Sequence, residues 1–156
     1  MSDQTEGRFV VTHAEDESAV LKDVDGGQVH TLAENPGVGA GDVLDATLSP
    51  EPPMEVTWRV VEVEARRSID VAASAEPPTE QERAIAADQS VGELTRKERA
   101  GMGELHVLTV PEDDTDEAVD DVLDDEGTLA RAARMDDVNR VEVRSEPGVV
   151  SVRYLP

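Results

Sequence analysis

Short valine-rich runs, each closed by glycine or proline within a few residues, dominate the first half of this chain and commit it to β structure. Arg8–Thr12 reads as a first strand. Ser18–Val24 and Gln28–Leu32 flank Asp25-Gly26-Gly27, a hairpin turn in which glycine tolerates positive φ. Asn35-Pro36-Gly37 is a second turn signal. In Val43–Leu48, Leu44, Ala46 and Leu48 alternate with Asp45 and Thr47, the period of a half-buried strand. Ser49-Pro50-Glu51-Pro52-Pro53 then interrupts, since proline cannot donate to a central ladder. Glu55–Glu64 is expected to be the longest strand. Val56, Trp58 and Val60 share one face, Val61 and Val63 the other, so a bulge or sharp bend is required near Val60. Ile69–Val71 adds a short last strand. Five or six such strands within residues 8–71 suit a small barrel or a curled antiparallel sheet, and closure removes exposed edges.

The pattern changes after residue 71. Ala72–Pro78 reads as a linker, and Thr79 with Glu82 forms a capping box that starts a helix over Glu80–Gln89. Gly92 interrupts it, and Glu93–Ala100 is read as a further helical turn or two, ended by Gly101-Met102-Gly103. Glu104–Val110 is apolar on both faces, as in a strand covered on two sides. Thr115 is expected to cap a helix with the apolar stripe Ala118, Val119, Val122, Leu123, Leu129 and Ala133, kinked or split at Gly127. Asp116 and Glu117 at its start and Arg131 and Arg134 at its end complement the helix dipole. Arg140–Arg144 and Val149–Tyr154 pair across Glu146-Pro147-Gly148, with the valines and Tyr154 inward. The expected fold class is α+β: a small N-terminal antiparallel β-barrel-like domain (1–71), a linker with one or two helices (72–103) and a C-terminal β-α-β-β unit (104–156).

Charge bounds the rest. The chain carries 36 acidic and 14 basic residues, a formal net charge of −22, which repels itself in dilute buffer and is tolerated in concentrated salt. The acids are spread along the chain, which favours a solvated surface over mimicry of a nucleic acid, where charge would gather on one face. With 38% apolar residues and recurrent strands, the chain is expected to fold rather than remain disordered. One Phe, one Trp and one Tyr leave the core to aliphatic side chains, so Trp58 is read as core rather than as a ligand platform. With no cysteine there is no disulfide, thiolate metal site or cysteine nucleophile. The start of the chain lacks a signal-peptide pattern and no apolar run reaches membrane-spanning length, so a cytoplasmic location is expected.

Motifs for chemistry are sparse. Arg96-Lys97-Glu98-Arg99, followed by Gly101-Met102-Gly103, is a basic island in an acidic chain, and cations beside glycines can cradle a phosphate. The competing reading pairs these cations with Glu93, Glu98, Glu104 or the acidic helix. Arg140, Arg144 and Arg153 fall on one face of the C-terminal hairpin and suit phosphates or carboxylates, or else pair with Glu142. No aromatic alternates with them for base stacking. His13, His30 and His106 have no metal-ligand spacing, and no calcium loop or serine elbow is present. No catalytic residue, metal or cofactor is therefore assigned.

Gly39-Ala40-Gly41-Asp42-Val43-Leu44, with the hairpin before it and the long strand after it, resembles the strand entry of small OB-like or TRAM-like barrels. Val10-Val11-Thr12-His13-Ala14, Pro52-Pro53-Met54-Glu55-Val56-Thr57-Trp58 and Ser145-Glu146-Pro147-Gly148-Val149-Val150-Ser151-Val152-Arg153-Tyr154 resemble uncharacterised proteins of haloarchaea, a family of unknown function. That resemblance implies a halophilic source and no particular activity. The expected function is a non-enzymatic binding or adaptor protein, monomeric or a small homo-oligomer, with RNA or a protein of the translation machinery as partner. The alternative is a small anionic-ligand-binding protein or enzyme that uses Arg96–Gly103.

Overall fold

The alternating runs become five strands of a closed barrel: β1 (Thr5–Ala14), β2 (Ala19–Asp23), β3 (Val29–Leu32), β4 (Asp42–Pro50) and β5 (Trp58–Ser68), in the order β1-β2-β3-β5-β4. The computed structural model describes residues 4–54, 56–99 and 103–156. They divide into two compact units, one within the bounds 1–69 and 129–136, the other within 70–128 and 137–156. Four seams of the barrel are antiparallel. The fifth is parallel and short: Leu32 pairs with Trp58, and the Ala33 N–H donates to the Trp58 carbonyl at 3.1 Å.

The phase slip expected near Val60 is present. Along β4 and β5, Thr47 pairs with Glu62 but Leu48 pairs with Val60, which leaves Val61 as an extra residue. Asp45 pairs with Ala65 and Ala46 with Val63, so Glu64 is a second extra residue. Two bulges in one strand raise its twist, which helps so few strands curl toward closure. The core inside is Phe9, Val11, Leu21, Leu32, Leu44 and Leu48, with Trp58 and Val60 packed against it. Each fully buried Leu or Phe contributes about 1.5–3 kcal/mol.

Turn chemistry holds the connections. Gly27 has φ +75, whereas Gly26 is not in the left-handed region. In the Asn35-Pro36-Gly37 turn, Asn35 Oδ1 accepts from the Gly37 and Val38 N–H groups at 2.8 Å each.

The second unit holds a five-stranded sheet ordered β6-β9-β10-β8-β7, from β6 (Asp70–Ala73), β7 (Leu94–Glu98), β8 (Glu104–Thr109), β9 (Arg140–Glu146) and β10 (Val149–Leu155). Its helices are α1 (Glu80–Ala87), α2 (Thr115–Asp124), after a 3-10 turn at Glu112–Asp114, and α3 (Glu126–Arg134), whose residues from Leu129 group with the barrel unit. The hairpin of β9 and β10 pairs as its alternation requires, with Val141 opposite Tyr154 and Val143 opposite Val152, all buried. No helix among the described residues is long and apolar enough to cross a membrane.

Three local expectations are corrected. The short strand expected at Ile69–Val71 as the last of the barrel is β6, and it pairs in parallel with β9. The helical turns expected over Glu93–Ala100 are instead strand β7 up to Glu98, with Ala100 outside the described residues. Gly92, at φ +91, reverses the chain, and β8 supplies a partner along its whole length, from Leu94 opposite Leu108 to Glu98 opposite Glu104. The available ladder overrides the helix propensity of Arg, Lys and Glu. Thr115 is the first residue of α2 rather than its cap, and Asp114 precedes it without a capping bond. The Thr115 hydroxyl donates to the Glu112 carbonyl at 2.8 Å and accepts from the Gly148 N–H at 2.9 Å. Of the two outcomes expected near Gly127, a kink or a split, the split is found: α2 ends at Asp124 and α3 begins at Glu126, and the Asp125 carboxylate between them accepts from the Gly127 N–H at 2.8 Å. Arg131 and Arg134 therefore end α3, a different helix from the one Asp116 and Glu117 begin.

Candidate functional site

The capping box is formed as written in the sequence. Thr79 Oγ1 accepts from the Glu82 N–H at 3.3 Å, and a Glu82 carboxylate oxygen accepts from the Thr79 N–H at 3.2 Å. Ala86, with Ile85 beside it, packs on Leu105 and Val107 of β8. Thr109 Oγ1 donates to the Ala86 carbonyl at 2.9 Å and ties the far end of α1 to the same strand. This seats α1 across one face of the sheet and buries Glu82 to 1% exposure.

Register decides what that face carries. Directly paired residues share a face, so Lys97, Leu105, Arg153 and Glu142 form one row across four strands. Thr95, Val107, Ser151 and Arg144 form the next row. A groove of about 670 Å³ opens beside α1, lined by Thr79, Glu80, Glu82, Lys97, Glu98, Arg99, Leu105 and Arg153 among others. That volume lies in the range of small-molecule sites, about 300–1,000 Å³.

The six cations singled out in the sequence separate. Lys97, Arg99 and Arg153 line the groove. Arg144 shares the sheet face but is held by Glu142 and, at 2.9 Å, by Glu76. The hydrogen bond that Arg144 donates to Glu142, together with the Glu142 charge, raises the Arg144 pKa against the effect of burial. Arg140 is exposed at the start of β9 and does not line the groove. Arg96 pairs with His106 and therefore points to the opposite face from Lys97. Gly101 and Met102 lie outside the described residues, while Gly103 has φ +90 and accepts the Arg99 N–H at 3.2 Å.

Arg153 is largely covered but loosely held. It meets Glu142 at 3.5 Å and Glu82 at 3.7 Å, although four-fifths of its side chain is covered. Charge-assisted bonds of arginine to carboxylates are normally about 2.7–2.9 Å. Burial pushes the Glu142 pKa up, but the hydrogen bond from Arg144 and the charges of Arg144, Arg153 and Arg140 outweigh it and leave Glu142 below its ordinary value. Glu142 therefore stays ionised and is claimed chiefly by Arg144. Sequence reasoning found the cations and the capping box but not the burial of Glu82, because a capping glutamate is exposed in most helices and only the packing of α1 covers it.

The first unit has a smaller groove, about 350 Å³, lined by Glu6, Arg8, Asp25, Asp45, Glu64 and Arg134 among others. Its Arg8 is already bound, to Asp45 at 2.8 Å and Asp136 at 2.7 Å. Among the described residues no group of three His, Asp or Glu is placed to hold a metal ion. His106 lies 3.0 Å from Glu104. His30 is buried in the barrel with no hydrogen bond at either ring nitrogen.

Together these features define a mixed α+β protein, largely of strands, with a closed five-stranded barrel and a second sheet that carries a mixed-charge groove beside a capped helix. Residues 5–145 match the family of unknown function DUF5812, and the chain belongs to that family. No curated protein and no solved structure matches it.

Proposed function

We propose that this is a non-enzymatic binding protein that takes a small anionic group in the groove beside α1. Arg153 carries this reading. It is a largely buried guanidinium with donors left over, beside Lys97 and Arg99, in a chain where cations are few. Among the described residues that line the groove, no catalytic role is assigned. Calorimetry and thermal shifts in multimolar KCl, with inorganic phosphate, nucleotides and phosphorylated metabolites, test the proposal. Binding is expected to weaken roughly 10- to 100-fold in Arg153→Ala, the loss of a charged hydrogen bond. Absence of saturable binding by every anion refutes it.

An adaptor role with RNA or a protein of the translation machinery as partner is the second reading. It draws on the barrel, read as OB-like, and on the strand parity that gives Arg140, Arg144 and Arg153 one face. A pull-down at multimolar KCl that returns neither RNA nor a reproducible protein ends it. The net charge of −22, together with the resemblance to haloarchaeal proteins, supports a salt-rich cytoplasm as the working environment.

A further inference from the structure

Glu82 is a carboxylate buried in the wall of the groove beside α1. Its side chain is 1% exposed, yet it lines the groove together with Arg153, Lys97 and Arg99. One of its oxygens is used, accepting from the Thr79 N–H at 3.2 Å. The other, Oε1, stands 3.7 Å from the Arg153 Nε, outside hydrogen-bond reach, and accepts no hydrogen bond from the described residues. A buried acceptor without a donor is costly, and such atoms are rare in folded proteins. Register puts Lys97 and Arg153 in one row with Leu105 between them. Their backbones are therefore about 10 Å apart, two strand spacings, and both long side chains reach a guest lying over Leu105.

An anion on Arg153 arrives beside the unused oxygen of Glu82. If every oxygen of that anion is a bare acceptor, two acceptors face each other with no proton between them. An oxyanion that keeps one hydroxyl removes the conflict. Its charged oxygens accept from Arg153 and its neighbours, while its O–H donates to Glu82 Oε1 in a charge-assisted bond. Sites built to bond a ligand hydroxyl reject analogues that lack it, because the buried polar group is then left unpaired.

We infer that the groove selects inorganic phosphate, as hydrogenphosphate, over sulfate and over phosphomonoester dianions, and that Glu82 sets this preference. At about pH 8 a phosphomonoester has lost its last acidic proton, its second pKa being about 6. Hydrogenphosphate and sulfate are both tetrahedral dianions there, and only the first carries a hydroxyl. This assignment rests on the anion-binding reading of the same groove and adds a hydroxyl requirement to it.

Titration calorimetry on the full chain at about pH 8, in the lowest KCl that keeps it folded, compares phosphate, sulfate and methyl phosphate. Phosphate is expected to bind about 10- to 100-fold more tightly than either, the scale of one hydrogen bond to a charged group. In Glu82→Gln that preference is expected to vanish, with sulfate gaining affinity. Glutamine serves in a capping box as glutamate does, its carbonyl oxygen accepting from the Thr79 N–H, so α1 keeps its cap. Its amide then presents N–H donors to the groove. Circular dichroism verifies the fold, and the three affinities of the native chain test the inference without any variant. Equal affinities for phosphate and sulfate, or a preference that survives in Glu82→Gln, overturn it. If the three anions bind equally and all are lost in Arg153→Ala, the hydroxyl requirement falls and the anion site stands. If none binds, both fall.

Discussion

Replacing His30 with leucine is expected to stabilise the protein and remove part of its acid sensitivity. His30 is 1% exposed, inside the barrel, and neither ring nitrogen makes a hydrogen bond. Each orphaned polar group costs about 1–3 kcal/mol. The ring meets Phe9 and Trp58 edge-on, with centroids 5.4 and 4.7 Å away. Such contacts contribute about 0.5–1.5 kcal/mol each and are lost in the variant. The balance favours His30→Leu by about 1–3 kcal/mol, which at this chain length raises Tm by roughly 2–12 °C. The pH dependence follows from burial, which lowers the His30 pKa below 6.5, opposed by the charge of Asp23 and by the Gln28 backbone, which lies near the ring without meeting hydrogen-bond geometry. The unfolded chain therefore binds a proton that the folded chain refuses. Stability falls as pH drops below 6.5, and goes on falling until the lowered folded pKa is reached. One such proton has a limiting slope of about 1.4 kcal/mol per pH unit. Trp58 is the only tryptophan and touches His30, so its fluorescence reports unfolding of the barrel. Urea unfolding from about pH 7.5 to about pH 5, in wild type and His30→Leu, isolates the His30 contribution as a difference, since His13 and His106 remain in both. Identical slopes in the two proteins, or a variant less stable at neutral pH, refutes the reasoning.

Three further outcomes test other parts of the structure. At Gly103 a Cβ would lie 1.9 Å from the Tyr154 carbonyl oxygen at φ +90, so Gly103→Ala is expected to cost at least about 3 kcal/mol in chemical denaturation; a loss under about 1 kcal/mol contradicts the turn geometry. Asp42 is desolvated by burial, but the Gly39 N–H, the Ser68 hydroxyl at 2.7 Å and Arg66 at 2.7 Å outweigh that and hold its pKa below 3.8. Its contribution is present above pH 3.8 and is lost as pH falls through the lowered folded value. Asp42→Asn is expected to cost about 2 kcal/mol at neutral pH and to flatten the acid limb of the stability curve; an unchanged limb counts against the site. Finally, Tm is expected to rise steadily with KCl because salt screens a net charge of −22, and a Tm independent of salt refutes the halophilic reading.

Local chemistry wrote much of the fold into the chain. The period-two runs, the Asp25-Gly26-Gly27 and Asn35-Pro36-Gly37 turns, the bulge after Val60 and the Thr79–Glu82 capping box all depend on neighbours within a few residues, and each was legible. The extreme charge and the scarcity of cations are likewise properties of sequence alone, as are the positions of Lys97, Arg99 and Arg153. Pairing over distance was not legible. Residues 94–98 have helix-compatible composition and become a strand because β8 offers a ladder, and Asp70–Ala73 leaves the barrel for β9 because a parallel partner 70 residues away accepts it. The groove follows from the same cause. Strand parity puts Lys97 and Arg153 in one row and turns Arg96 to the other face, while the docking of α1 buries Glu82 against them. Periodicity assigns a residue to one face or the other, but only the register between strands distant in sequence decides which side chains share it.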